Sequence, residues 1–194
     1  MPKNISNKKI DGFSGKYLKS HYLQVRGDRQ YLKRNPDRRG HKKKPNEEKN
    51  QLRFKDVNIY ARSVAHDPAS KAFYTPFRET LKQSEYVMAI ADGMVPPTIE
   101  SIEQNGYTGL AGQTLMAVAT DNFQVMKVVF TILDPNGISL ETGLATPAEK
   151  ENQWIYIARK DILSLSGNQV QVEAFDRPGN RTVALLLLDE PVKM

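Results

Sequence analysis

Seven short runs of alternating apolar and polar residues follow Pro96-Pro97, and they set the main limit on the fold: TIESIE, QTLMAVAT, FQVMKVVFTILD, ISLETG, QWIYIAR, NQVQVEAFD and NRTVALLLL. A period of two is the spacing of a half-buried strand. Turn signals separate the runs: NGYTGLAG, DN, DPNG, SLSGN and DRPGN. Gly, Asn, Asp and Pro reverse a chain because they accept or pre-set turn dihedrals. Asp134-Pro135-Asn136-Gly137 is a strong hairpin signal. Seven strands at this spacing predict a two-sheet sandwich over residues 96–194. Alternate residues of such a sandwich face inward. That assigns Val118, Val128, Phe130, Val172 and Leu186 to the core, with Trp154 between the sheets or packed on their edge.

Upstream of Pro96-Pro97, which is stiff and cannot continue a helix, the period changes to that of helices. Asn46 is placed to cap a helix, with Glu47 and Glu48 in a first turn that favours anions. Phe54, Val57, Ala61 and Val64 then form one apolar stripe. Asp67-Pro68 reads as the cap and first residue of a second helix. Its buried face is expected at Ala69, Ala72 and Phe73, with Pro76 kinking or ending it. Ser84 starts a third helix, EYVMAIAD, closed by Gly93. Nearer the start, HYLQV and RQYLK flank Arg26-Gly27-Asp28. This tripeptide is also a cell-adhesion motif, but Gly27 makes it a good reversing turn, and a β-hairpin is the expectation. NPDRRGHKKKP, 35–45, reads as a linker or arm. The chain thus divides into a basic arm with a hairpin (1–45), a helical module (46–95) and the sandwich (96–194).

Charge is unevenly spread. Residues 1–50 hold ten lysines and five arginines against five acids, a formal +10, and the rest of the chain is −4. A basic arm on a mildly acidic body suits an anionic partner: nucleic acid, an acidic protein face, or the chain's own acidic half. Candidate contacts are Arg26, Arg29, Lys33, Arg34, Arg38, Arg39, Lys42, Lys43 and Lys44. Phe13, Tyr17, Tyr22 and Tyr31 are interleaved with the bases. That arrangement suits a half-buried hairpin first, and also stacking on single-stranded bases.

The C-terminal region resembles bacterial immunoglobulin-like domains over about residues 96–190. The resemblance is carried by ATDNFQVMKVVFTI, GISLETGLA, the Trp154–Tyr156 pair and VEAFDRPGNRT. It implies the immunoglobulin-like sandwich and, for function, a spacer, adhesion module or interaction surface. The N-terminal half, with GKYLKSHYLQVRGDRQYLKRNPDRRG followed by Gln51, Arg53 and Phe54, is similar to uncharacterised bacterial proteins and implies no activity.

The sequence contains no cysteine, which excludes disulfides, thiolate metal sites and thiol catalysis. His21, His41 and His66 lack metal-ligand spacing. GYTGLAG has no strand-to-helix context or following Lys-Ser/Thr, and reads as a turn, not a phosphate loop. Ser164 and Ser166 lack a nucleophile elbow. Asp121, Asn122, Asp176 and Asn180 are expected at one end of the sandwich, near Pro96-Pro97. They either bond their own turn backbones or supply oxygen ligands to Ca²⁺. No other cofactor is implied. No run of eighteen apolar residues spans a membrane, and MPKNISNKKIDGF has no apolar h-region, so no signal peptide is expected. A cytoplasmic setting or an assembled particle follows as the expected location.

These readings converge on an α+β two-part chain: an N-terminal basic hairpin with short helices, then an all-β immunoglobulin-like sandwich. The expected function is non-enzymatic: a structural or interaction protein, its arm anchoring to a protein partner or a self-assembly, its sandwich presenting a surface. Alternatives are a nucleic-acid-binding protein using the arm, and a carbohydrate- or cell-surface-binding module. A small-molecule substrate is not expected.

Overall fold

The computed structural model describes residues 14–17, 20–26, 29–35 and 44–188, without the side chains of Arg26 and Glu79. It is α+β, with three antiparallel sheets and three helices among the described residues. The chain forms two compact units, Met1–Pro45 and Asn46–Met194.

The first unit is a sheet of β1 (Gly15–Tyr17), β2 (His21–Arg26) and β3 (Arg29–Arg34), in that order. The β2–β3 register runs from His21↔Arg34 to Arg26↔Arg29, which makes the pair a tight hairpin. Its tip, Gly27-Asp28, lies outside the described residues. Asn35 N donates to Ser20 O at 2.7 Å and closes the base. Leu23 is buried, paired to Gly15 on one side and Leu32 on the other.

In the second unit, α1 (Pro45–His66) buries Val57, Ala61 and Val64. The helix begins one residue before the expected cap Asn46, because a proline at a first helical position has no amide to leave unsatisfied. Phe54 was assigned to the same stripe but is exposed, along with Leu52 and Ile59. α2 (Pro68–Leu81) starts as expected, with Asp67 Oδ2 accepting from Ser70 N at 2.8 Å. Pro76 does not end it. The helix continues to Lys82, which turns left-handed (φ 51°) and donates its amide to Arg78 O. The face of α2 also differs from expectation: Ala69 and Ala72 are exposed, and Tyr74 is the fully buried residue. α3 (Glu85–Met94) is capped by Ser84. Gly93 lies inside this helix and does not close it. A Cβ there would stand 2.6 Å from Val57 Cγ1, so glycine permits α1 and α3 to approach closely.

All seven predicted runs contain strands: β4 (Thr98–Glu103), β5 (Thr114–Thr120), β6 (Lys127–Leu133), β7 (Ser139–Leu144), β9 (Gln153–Ile157), β10 (Gln169–Phe175) and β11 (Arg181–Leu187). A two-residue strand, β8 (Thr146–Pro147), is added. They form two four-stranded antiparallel sheets, β4-β5-β9-β8 and β11-β10-β6-β7. Side chains from both sheets share one apolar core that includes Leu115, Val128, Phe130, Trp154, Tyr156 and Val172, a sandwich-like arrangement. Val118 and Leu186 are only half-buried. On β5 the inward set is Leu115, Ala117 and Ala119. Ala117 is paired directly with Trp154, and both are buried.

The predicted turns are built from their own polar groups. Asp134 Oδ1 accepts from the amides of Asn136 (2.9 Å) and Ile138 (2.7 Å) and joins β6 to β7. Within the GYTGLAG segment, Gln113 Oε1 accepts from the amides of Thr108 and Leu110. The segment is the β4–β5 connection.

Candidate functional site

Three carboxylates meet where α3 reaches one end of the two-sheet body. One oxygen each from Asp92, Asp121 and Asp176 lies within 4.8 Å of the other two. Asp121 follows β5 and Asp176 follows β10, as anticipated for the two turns. Asp92, on the last turn of α3, was not anticipated. Its signal was present: it falls four residues after Met88, on the buried stripe of an otherwise apolar helix, where a charge is out of place.

Each carboxylate is oriented by its own surroundings. Asp121 Oδ2 accepts from the amides of Phe123 (3.0 Å) and Gln124 (3.1 Å). Asp176 Oδ1 accepts from those of Gly179 (2.9 Å) and Asn180 (2.6 Å). This tight loop requires positive φ at Gly179, which is +95°. Asn180 Nδ2 donates to Asp176 Oδ2 at 2.7 Å and to the carbonyls of Gly93 (3.2 Å) and Asp92 (3.4 Å), tying α3 to the β10–β11 turn. Of the four predicted oxygen ligands, the structure therefore gathers Asp121 and Asp176, makes Asn180 a support for Asp176, and leaves Asn122 exposed. Self-bonding within the turns and convergence of the carboxylates occur together.

Asp92 is 1% exposed. Its Oδ2 accepts from the Tyr74 hydroxyl. That hydroxyl is 2.9 Å from the Tyr60 hydroxyl; because Tyr74 gives its proton to Asp92, Tyr60 donates to Tyr74. Burial pushes the Asp92 carboxyl up to about 7, the Tyr74 bond opposes that shift, and the charges of Asp121 and Asp176 add to it. Burial raises Asp176 as well, against the bonds from Asn180. Burial also raises Tyr74 and Tyr60. The Arg177 guanidinium favours the ionised Asp92 from a distance, but it sits 4.6 Å over the Phe73 ring. Among the described residues, no lysine or arginine makes an ion pair with the three acids. Two oxygens of the cluster, Asp92 Oδ1 and Asp121 Oδ1, are buried with no hydrogen-bond partner. Phe123, two residues beyond Asp121, packs edge-on to Tyr74 (5.4 Å) and Phe77 (5.2 Å) and holds the β5–β6 turn against α2.

Two surfaces complete the inventory. Directly opposed residues of an antiparallel pair share a face, so the register of the first unit places Lys16, Tyr22, Tyr31, Arg29 and Lys33 on one face, with the Arg26 position among them. Lys33 Nζ donates to Gln24 Oε1 at 2.8 Å on that face. Arg34 lies on the other face, opposite His21, and Lys44 immediately precedes α1. Arg38, Arg39, Lys42 and Lys43 lie outside the described residues. In the second unit, the outward face of the β11-β10-β6-β7 sheet carries Val183, Leu185 and Leu187 on β11, Gln169, Gln171 and Glu173 on β10, Val129, Thr131 and Leu133 on β6, and Thr142 and Leu144 on β7. An Arg181–Glu173 ion pair and Lys127, 4.3 Å over the Phe175 ring, border it at one end.

Among the described residues no helix is long and apolar enough to cross a membrane. No protein-family model matches the sequence, and no curated protein matches it.

Proposed function

We propose that the protein is a non-enzymatic assembly protein in which an immunoglobulin-like sandwich presents one sheet face to a second copy of the chain. The observation that carries this reading is the outward face of the β11-β10-β6-β7 sheet. A solvated sheet face alternates polar residues against the apolar ones of its core side. Here edge strand β11 exposes Leu185 (59%) and Leu187 (56%), and a second apolar group, Val129 and Leu133 of β6 with Leu144 (61%) of the opposite edge strand β7, lies beyond the polar row Gln169, Gln171 and Glu173 of β10. Exposed apolar side chains on an edge strand, set beside polar and charged ones, are the composition of a protein-binding surface. The strand orders β4-β5-β9-β8 and β11-β10-β6-β7 support the immunoglobulin-like reading: with β7 counted as an added strand beside the third, the remaining seven follow the order in which such domains place their first, second, fifth and fourth strands in one sheet and the rest in the other. The charge split supports self-association: a +10 segment and a −4 body in one chain give each copy something of opposite sign on the next.

The test is the mass of the full chain by light scattering across a concentration series, with the double variant Leu185→Glu, Leu187→Glu in parallel. The wild type forms dimers or larger species, and the variant stays monomeric with an unchanged melting temperature. A wild type that is monomeric throughout, or a variant that associates equally, refutes the reading.

A second reading, nucleic-acid binding by the first unit, rests on a separate observation: two tyrosines and several bases on one sheet face. Aromatic rings among cations stack bases while holding phosphates. Affinity for a single-stranded oligonucleotide should then fall with salt at about 0.7 log units per phosphate contacted. Absence of binding at physiological salt removes this reading.

A further inference from the structure

We propose that Asp92, Asp121 and Asp176 form a buried Ca²⁺ site that pins the helical layer of the second unit to the end of its two-sheet body. The argument begins with what the cluster lacks. Carboxylates in contact are stable only if they share protons, pair with cations, or coordinate a metal ion. No basic side chain pairs with them among the described residues. The hydroxyl and amide donors present are already spent on Asp92 Oδ2, Asp121 Oδ2 and Asp176. Asp92 Oδ1 and Asp121 Oδ1 remain buried and unpartnered. A buried oxygen without a partner is destabilising, more so when it is charged. Both orphans belong to acids of the converging cluster, where a cation would satisfy them together.

The donor set and the burial select the ion. Oxygens alone, without imidazole or thiolate, suit a hard divalent cation and not zinc. The three oxygens here lie within 4.8 Å of one another, close enough to share one ion. Mg²⁺ also keeps most of its water, which a site closed by an Asp92 that is 1% exposed and by the Tyr74–Phe123 contact does not favour. The ligands come from three separate elements: a helix end and two turns from different sheets. A single ion would therefore join α3, the β5–β6 turn and the β10–β11 turn, with Asn180 and Tyr74 holding two of the carboxylates in place, the supporting role that second-layer groups play around metals.

The experiment uses the full chain, stripped of divalent ions with a chelator and dialysed at constant ionic strength. Thermal unfolding is followed against CaCl₂, with MgCl₂ and KCl as controls. At a hundredfold excess over Kd the midpoint should rise by about 5–10 °C, with Mg²⁺ giving a smaller shift and KCl none. Tb³⁺, a Ca²⁺-sized lanthanide, should give luminescence sensitised by Tyr74 and quenched by competing Ca²⁺. Asp92→Asn removes one ligand and also removes like-charge repulsion, so the variant should fold. It should lose the Ca²⁺ shift and at least tenfold of the Tb³⁺ affinity. Should the wild type show neither a Ca²⁺-dependent midpoint nor Tb³⁺ luminescence, the site is held by shared protons and the proposal fails. An Asp92→Asn protein that responds to Ca²⁺ like the wild type overturns it equally.

Discussion

Glu141 is a buried carboxylate that ties the two sheets together. It sits on β7 and is 5% exposed, yet it reaches across to the other sheet. Its Oε1 accepts from the Tyr156 hydroxyl on β9 and from Arg159 N at 2.7 Å, and its Oε2 accepts from Lys160 N at 3.1 Å. Tyr156 in turn stacks on Phe130 at 5.4 Å between ring centres, nearly parallel at 8°. One side chain thus links β7, β9 and the segment after β9, and fixes the ring that stacks on Phe130 of β6. In Glu141→Ala three donors lose their acceptor. The two half-exposed amides lose about 1 kcal/mol each and the buried hydroxyl about 2 kcal/mol, a total near 4 kcal/mol. The relief of no longer burying a carboxylate offsets part of this, so about 3 kcal/mol is expected. Glu141→Gln keeps the shape but turns an amino group toward a donor, and should cost roughly 2 kcal/mol. Urea unfolding of the two variants and the wild type measures both, with an unchanged slope reporting that only stability has moved. A loss below about 1 kcal/mol in Glu141→Ala would refute the inter-sheet tie.

Further expectations follow from the same packing. A Cβ on Gly143 would stand 2.6 Å from Tyr156 Cε2, and Tyr156 is held by Glu141, so Gly143→Ala should destabilise by about 1–3 kcal/mol in the same urea assay. Trp154→Ala should cost about 3–5 kcal/mol, because the ring is buried between the sheets; wild-type stability would place the indole elsewhere. In the chelated protein Asp92 titrates near 7 when folded, above its ordinary value of 3.8. The folded state then holds the extra proton, so stability is full below pH 4 for this group and is lost as pH rises toward 7. Asp92→Asn should flatten that part of the pH profile, and a wild-type profile that rises between pH 5 and 7 would contradict it.

Much of the second unit was legible because its turns and caps are local chemistry. Asp134, Asp67-Pro68 and Ser84 act on amides a few residues away, and each did in the structure what its position suggested. The inward face of β5 was not legible, because Leu115, Met116, Ala117, Val118 and Ala119 are apolar on both faces and alternation cannot choose between them. In the structure Ala117 is the inward residue opposite Trp154. Pro76 misled for a related reason: a proline removes one helical hydrogen bond, but burial of Tyr74 and Phe77 on either side holds α2 together. The candidate site was half legible. Asp121 and Asp176 were found because both sit in turns at one end of the sheets, while Asp92 was hidden by its helix and by the long sequence separation from both turns.

The central claim, that the outward face of the β11-β10-β6-β7 sheet is a contact between copies, is tested most directly by hydrogen–deuterium exchange of the full chain at low and high concentration. The account predicts added protection at high concentration confined to β11 and its neighbours on that face, Arg181–Leu187 above all. Exchange in β11 that is independent of concentration, or protection that appears elsewhere, would contradict it.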